Sequence, residues 1–129
     1  MTIAQVSKEY GLSADTLRYY EKIGLIPPVP RNFAGIRDYD ELSCKWIEFA
    51  KCMRGAGLPV ETLVRYVKLF AQGDATIKER KAILREQRDR IAAEVEEKQK
   101  VLARLNGKLD VYEELLLRKE RELEQEVER

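Results

Sequence analysis

The 129-residue sequence predicts an all-α protein with a small β wing. Three observations carry this. Residues 2–72 divide into four short helical segments, each with a start or stop signal. Between the second and third lies a loop, rich in proline and glycine, with the spacing of a two-stranded hairpin. After Thr76 no proline occurs, and the apolar residues keep a heptad-like spacing to the end.

Thr2 and Gln5 form a capping box that opens a first helix through about Lys8. Gly11-Leu12-Ser13 is a turn ending in an N-cap serine. A second helix follows from Ala14 to Ile23, stopped by Gly24 in a left-handed conformation. Two helices joined by so short a turn match the helix-turn-helix pattern, although helix hairpins that never touch DNA share that spacing. Pro27, Pro28 and Pro30 keep the chain extended. "RNFAGIRDY", residues 31–39, places Gly35 among Phe33, Ile36 and Tyr39, as a hairpin or wing requires. Asp40 caps a third helix to about Gly55, and Leu58-Pro59 starts a fourth that ends near Gly73.

Thr76 and Glu79 form a further capping box for the last helix. Its apolar seam runs through Ile77, Leu84, Ile91, Val95, Leu102, Leu105, Leu109, Tyr112, Leu116 and Leu123. Every step is three, four or seven residues, which is the spacing of a coiled coil. A helix this long cannot bury such a stripe in its own small domain, so the expected partner is a second copy of the chain. The alternative is a single solvated helix held by Glu–Lys pairs. Gly107 weakens this helix locally by roughly 1 kcal/mol.

Composition excludes several classes. No run of 18 apolar residues exists, so no transmembrane helix is expected. The opening "MTIAQVSKEYGLS" is unlike a signal peptide, and the expected location is the cytoplasm. There is no histidine, which removes the commonest acid–base catalyst and metal ligand. No glycine-rich phosphate loop or paired-carboxylate site is present, so no enzyme, cofactor or metal is expected. Cys44 and Cys52, on one helix, are about 12 Å apart along its axis, too far for a disulfide. The net charge of +1 means that any contact with DNA must rest on local positive charge.

The stretch "DTLRYYEKIGLIPP" (residues 15–28) is the most informative. Tyr19 and Tyr20 point about 100° apart on a helix, so one stripe cannot easily bury both. If this helix enters a major groove, Asp15, Thr16, Arg18 and Tyr19 lie on or near the exposed face and Leu17 faces inward. Arginine bonds phosphate or guanine, and tyrosine hydroxyls reach phosphate oxygens. Asp15 and Glu21 temper the attraction. A small helical core with Tyr20 buried and Arg18 solvated remains the alternative.

"TLRYYEKIGLIPPVPR" followed by "GIRDY" strongly resembles the DNA-binding signature of the MerR family of bacterial transcription regulators. The resemblance covers roughly residues 1–70. It implies a winged helix-turn-helix DNA-binding domain over residues 1–72, then a linker and a dimerising antiparallel coiled-coil helix over 73–129. It further implies a homodimer on double-stranded promoter DNA with an overlong spacer, which the protein distorts so that RNA polymerase engages. Carried onto this chain, Ser13, Thr16, Arg18, Tyr19 and Tyr20 lie at or beside the recognition surface, with Tyr20 the more inward. Arg37 and Tyr39 belong to the wing and its phosphate contacts.

Metal-responsive members use cysteines at the start of the long helix and in a C-terminal loop, but residues 73–129 contain neither Cys nor His. No drug-binding domain of the multidrug-regulator kind is expected after the coiled coil. The segment around Cys52 resembles the subgroup answering to aldehydes and nitrosative stress, where a lone cysteine occupies this position. On a helical wheel Leu42, Trp46, Phe49 and Met53 form an apolar stripe, with Cys52 at its border and Cys44 on the opposite, polar face. Lys51 and Arg54 favour a thiolate at Cys52, whereas the nearby helix C-terminus opposes it. Cys52 is thus the candidate sensor, against the alternative of a small structural thiol. Cys44 is read as incidental. Two other functions stay open: response to a non-covalently bound small molecule, and a coiled-coil adaptor that binds no DNA.

Overall fold

The computed structural model describes residues 1–128. Within these lie five α-helices and one 3-10 turn: α1 (Ile3–Tyr10), α2 (Ala14–Ile23), α3 (Glu41–Gly55), α4 (Val60–Ala71), the turn Asp74–Thr76, and α5 (Ile77–Glu128). The chain divides into two units, Met1–Arg88 and a second beginning at Asp89. No described helix is long and apolar enough to cross a membrane.

In the first unit, local chemistry sets the helix ends. Thr2 Oγ1 accepts from the Gln5 N–H at 3.2 Å, and Gln5 Oε1 accepts from the Thr2 N–H at 2.8 Å, completing the expected capping box. The helix runs two residues beyond Lys8 because Lys51 Nζ donates to the Tyr10 carbonyl, satisfying a terminal acceptor from another helix. Ser13 caps α2 through the Thr16 N–H. Gly24, at φ 82°, donates to the Glu21 and Tyr20 carbonyls. The Tyr20 carbonyl also accepts from Leu25 at 2.9 Å, so the chain turns sharply and delivers Leu25 and Ile26 into the core.

That core is built from Val6, Leu17, Leu25, Ile26, Tyr39, Ile47 and Leu58, all essentially sealed from solvent. Full burial of a side chain such as Leu17 is worth about 2 kcal/mol. α1 packs on α2 and α3 around it.

The expected hairpin over residues 31–39 contracts to one antiparallel bridge, Arg31 to Arg37. The physical reason lies in Asn32, whose Oδ1 accepts from both the Ala34 N–H and the Ile36 N–H. Those donors close a tight Asx-type turn instead of extending a ladder. Phe33 and Ile36 at the tip are exposed and pack on no core, which leaves nothing to stabilise a longer ribbon.

The apolar face of α3 differs from the expected stripe. Ser43, Trp46, Ile47 and Ala50 are buried, whereas Leu42 is 56% exposed. Ser43 is accommodated because its N–H and its hydroxyl both donate to Asp40 Oδ1 at 2.8 Å, so burial leaves no polar group unsatisfied.

Thr76 also departs from expectation. Rather than capping α5 through Glu79, it is buried in the 3-10 turn, and its hydroxyl donates towards the Leu69 carbonyl (2.6 Å) and the Gly73 carbonyl (2.8 Å). It ties the end of α4 to the start of the long helix. Among the described residues of α5 only Ile83 is buried, and it lies outside the predicted seam. Leu102, Leu105, Leu109, Leu116 and Leu123 are all more than half exposed in the single chain.

Candidate nucleic-acid interface

α2 presents its charged side to solvent because Leu17 faces the core. Arg18 Nη1 meets Asp15 Oδ1 at 3.0 Å across one helical turn, and both side chains are well exposed. Such a pair contributes little to stability, so Arg18 is free to exchange its partner for a stronger acceptor. Tyr19 is 55% exposed and Tyr20 half-buried, so the two adjacent tyrosines diverge as the helical period requires. Ser13 and Thr16 share the N-cap: the Ser13 hydroxyl accepts from the Thr16 N–H and donates to Thr16 Oγ1 at 2.8 Å. Both hydroxyls therefore sit at the positive end of the α2 dipole, where anions are favoured.

Glu21 leaves α2 on the side of the loop. One carboxylate oxygen accepts from the Val29 N–H at 3.1 Å, and the other from Arg37 Nε at 2.7 Å. Burial pushes the Glu21 carboxyl up. The Arg37 hydrogen bond, the Val29 N–H and the charges of Arg37 and Arg31 outweigh it, holding the group below its ordinary value. Arg31 in turn donates from Nη1 to the Gly35 carbonyl at 2.9 Å. A shallow concavity results between α2 and the loop. Arg18, Lys22, Arg31 and Arg37 line it against the two carboxylates of Asp15 and Glu21, with Tyr19 at the side. A nearly neutral chain thus concentrates positive charge at one place, in a shape that accepts an anion.

Tyr39 is a correction. In an extended strand it would share a face with Arg37, two residues earlier. The strand pairing instead ends at Arg37, and Tyr39 turns into the core at 1% exposure. Its N–H donates to the Met1 carbonyl, and its hydroxyl is enclosed without a hydrogen-bond partner. Burial pushes its pKa up. The hydroxyl cannot reach a phosphate from this position. The ring anchors the foot of the loop instead.

The cysteines also sit differently from expectation. Cys52 is exposed and points almost directly away from the buried face of α3, rather than lying at the border of a packed stripe. Lys51 bonds the Tyr10 carbonyl and Arg54 the Leu58 carbonyl, so neither cation is dedicated to the thiol. Cys44 is half-buried rather than on a polar face. It lies against Tyr10, whose pKa is raised by burial and then by the neighbouring Cys44. Among the described residues no three His, Cys, Asp or Glu side chains converge as a metal site would need.

Two features escaped the sequence reading. Glu21, expected only to temper attraction to DNA, is the structural link between α2 and the loop. Nothing local in sequence signals a contact spanning 16 residues. The second is an aromatic cluster on α3 and α4, in which Trp46 lies 4.9 Å from Phe70 and Phe49 stacks on Tyr66 at 5.5 Å. Arg80 stands over the Phe70 ring. The i, i+3 and i, i+4 spacings of these aromatics were the available signal.

Residues 2–39 match the sequence profile described as MerR family regulatory protein. The HTH-type transcriptional regulator AdhR of Bacillus subtilis (strain 168) is 60% identical over 91 residues, which is 70% of this chain. The chain spans 65% of that relative's length. A MerR family transcriptional regulator from Listeria monocytogenes has a similar crystal structure, with TM-score 0.91 and 40% identity over 97% of this chain and 95% of that one. The structure of HiNmlR, a MerR family regulator lacking the sensor domain and bound to promoter DNA, is also similar. Its TM-score is 0.79 at 30% identity, covering 88% of this chain and 90% of that one. Each of these relatives is named as a regulator rather than an enzyme.

Proposed function

The chain belongs to the MerR family of transcriptional regulators, and on that premise we propose that it binds promoter DNA as a homodimer through α2 and the loop after it. In this reading α1, its turn and α2 form a helix-turn-helix, and residues 31–37 form the wing. Residues 1–72 make up the DNA-binding domain and residues 73–129 the linker and dimerisation helix. Arg18 and Tyr19 meet base edges and phosphates in the major groove, with Ser13 and Thr16 at the helix N-terminus beside them. Tyr20 braces the helix from its half-buried position. Arg37 bonds the backbone phosphates.

The observation that carries the proposal is the basic concavity shared by α2 and the loop. Charge there comes from two separate elements, which supports a reading in which both meet one phosphate backbone. The exposed leucines of α5 support the second half, an antiparallel coiled coil with another copy that spaces two reading heads. Through it the protein would alter promoter conformation so that RNA polymerase engages.

We assign signal reception to Cys52. Support comes from its exposure, which lets an aldehyde, a quinone or an oxidant reach the sulfur, and from the resemblance to the stress-responsive subgroup. Because the thiol faces outward, an adduct would act on whatever surface meets that side of α3 rather than on the core of one chain.

A gel shift on the chain's own promoter fragment and on a scrambled duplex, across salt concentrations, tests DNA recognition. Preferential binding to the promoter with steep salt dependence is expected. Equal binding to both duplexes, or none, would leave a coiled-coil adaptor as the better reading.

A further inference from the structure

The geometry points to Glu21 as a positioning residue for DNA binding, one that orients the Arg37 guanidinium towards the phosphate backbone. This rests on the reading of Arg37 as a phosphate contact.

An acidic residue facing a polyanion normally weakens binding, and by charge alone Glu21 belongs with Asp15 as a brake. Its surroundings differ from those of Asp15. Glu21 is 13% exposed and Arg37 23%, whereas the Asp15 carboxylate is almost fully in solvent. The Glu21 carboxylate gives one oxygen to each of two donors from the loop, the Val29 N–H and Arg37 Nε. The first fixes the chain within the proline segment, between Pro28 and Pro30. The second grips the guanidinium by its inner nitrogen.

That grip has a directional consequence. A guanidinium is a rigid plane with five N–H donors in fixed directions. Once Nε is committed to Glu21, the direction of the edge formed by Nη1 and Nη2 is set by that bond. Among the described residues neither Nη1 nor Nη2 of Arg37 is bound to an acceptor, and Arg37 lines the concavity. The arrangement holds a two-pronged donor in the geometry that phosphate oxygens accept. It also removes in advance the side-chain freedom that a solvated arginine would lose on binding. The positive charge of Arg37 neutralises Glu21 at short range, so the carboxylate orients more than it repels.

The test measures fluorescence anisotropy of a labelled promoter duplex with the full chain at several salt concentrations. Glu21→Gln keeps the shape but sets an NH2 donor against one of the two loop donors. It is expected to weaken binding roughly tenfold, the size of one charge-assisted hydrogen bond. The salt slope should become shallower by about one phosphate contact, a readout that simple destabilisation of the fold would not move. In an Arg37→Ala background the same change should have no further weakening effect, since the group it positions is gone. Arg37→Lys retains the charge but not the fork, and should lose a similar amount. This variant also decides the matter if Glu21→Gln does not fold. Glu21→Gln binding as tightly as the parent or more tightly would overturn the proposal, leaving Glu21 a mere brake. So would parental binding by Arg37→Lys. Parental affinity and salt slope in Arg37→Ala would instead overturn the phosphate contact on which the proposal rests.

Discussion

The three charged residues of the concavity that matter most differ in how they are held. Among the described residues Arg18 is paired with exposed Asp15, so the proposed contact with DNA would be gained at little loss to the free protein. Arg18→Ala is therefore expected to leave the melting temperature nearly unchanged while weakening specific binding by about 1–3 kcal/mol, as measured by anisotropy against the promoter duplex. Glu21 and Arg37 are partly enclosed and enter the stability of the fold. The Glu21 carboxyl is held below its unfolded value, so the folded state binds fewer protons than the unfolded one. Its contribution is fully present above the unfolded pKa and fades as the pH falls through the lowered folded value. Urea unfolding between pH 7 and about 3 should show the parent losing stability with acid, and Glu21→Gln losing less. At Cys52 the expectation is a chemical one. Cys52→Ala should bind the promoter but lose induction by aldehyde or oxidant in a reporter assay, while Cys44→Ala behaves as the parent. Normal induction by Cys52→Ala would shift the reading to a non-covalent effector.

At the scale of elements, the helices whose ends depend on neighbours in sequence were legible. Thr2 with Gln5, Ser13 with Thr16, and Asp40 with Ser43 all act within one turn, and Gly24 acts through its own φ. What was not legible depended on chain-distant partners. Lys51 lengthens α1, Thr76 reaches back to Leu69, and Glu21 seizes Arg37. The face of α3 was misjudged because Ser43 is polar by composition but satisfied by Asp40, so hydrophobicity alone pointed one position away. Tyr39, placed among the wing's phosphate contacts by the resemblance, is instead buried, because the strand pairing ends before it. The seam of α5 is a matter of register. Leu102, Leu105 and Leu109 lie exposed in the single chain, and the coiled-coil proposal requires them to be covered by a second copy. Replacing all three by lysine puts charges into that seam and should give monomers by analytical ultracentrifugation, with operator affinity largely lost. An unchanged dimer mass would assign the contact to other residues.

For the whole molecule, the proposed dimer would carry one copy of α2 per subunit as two reading heads, and its two-fold symmetry would demand a pseudo-palindromic site. In the proposed reading the basic concavity would supply attraction where the net charge of +1 does not, favouring selection of a site over coating DNA. Hydroxyl-radical footprinting of the full chain on its own promoter tests this most directly. Two protected patches related by a dyad are expected on one face of the duplex, with centres separated by about one helical turn or a multiple of it. A single protected patch, or protection that is equally strong on a scrambled duplex, would contradict this expectation.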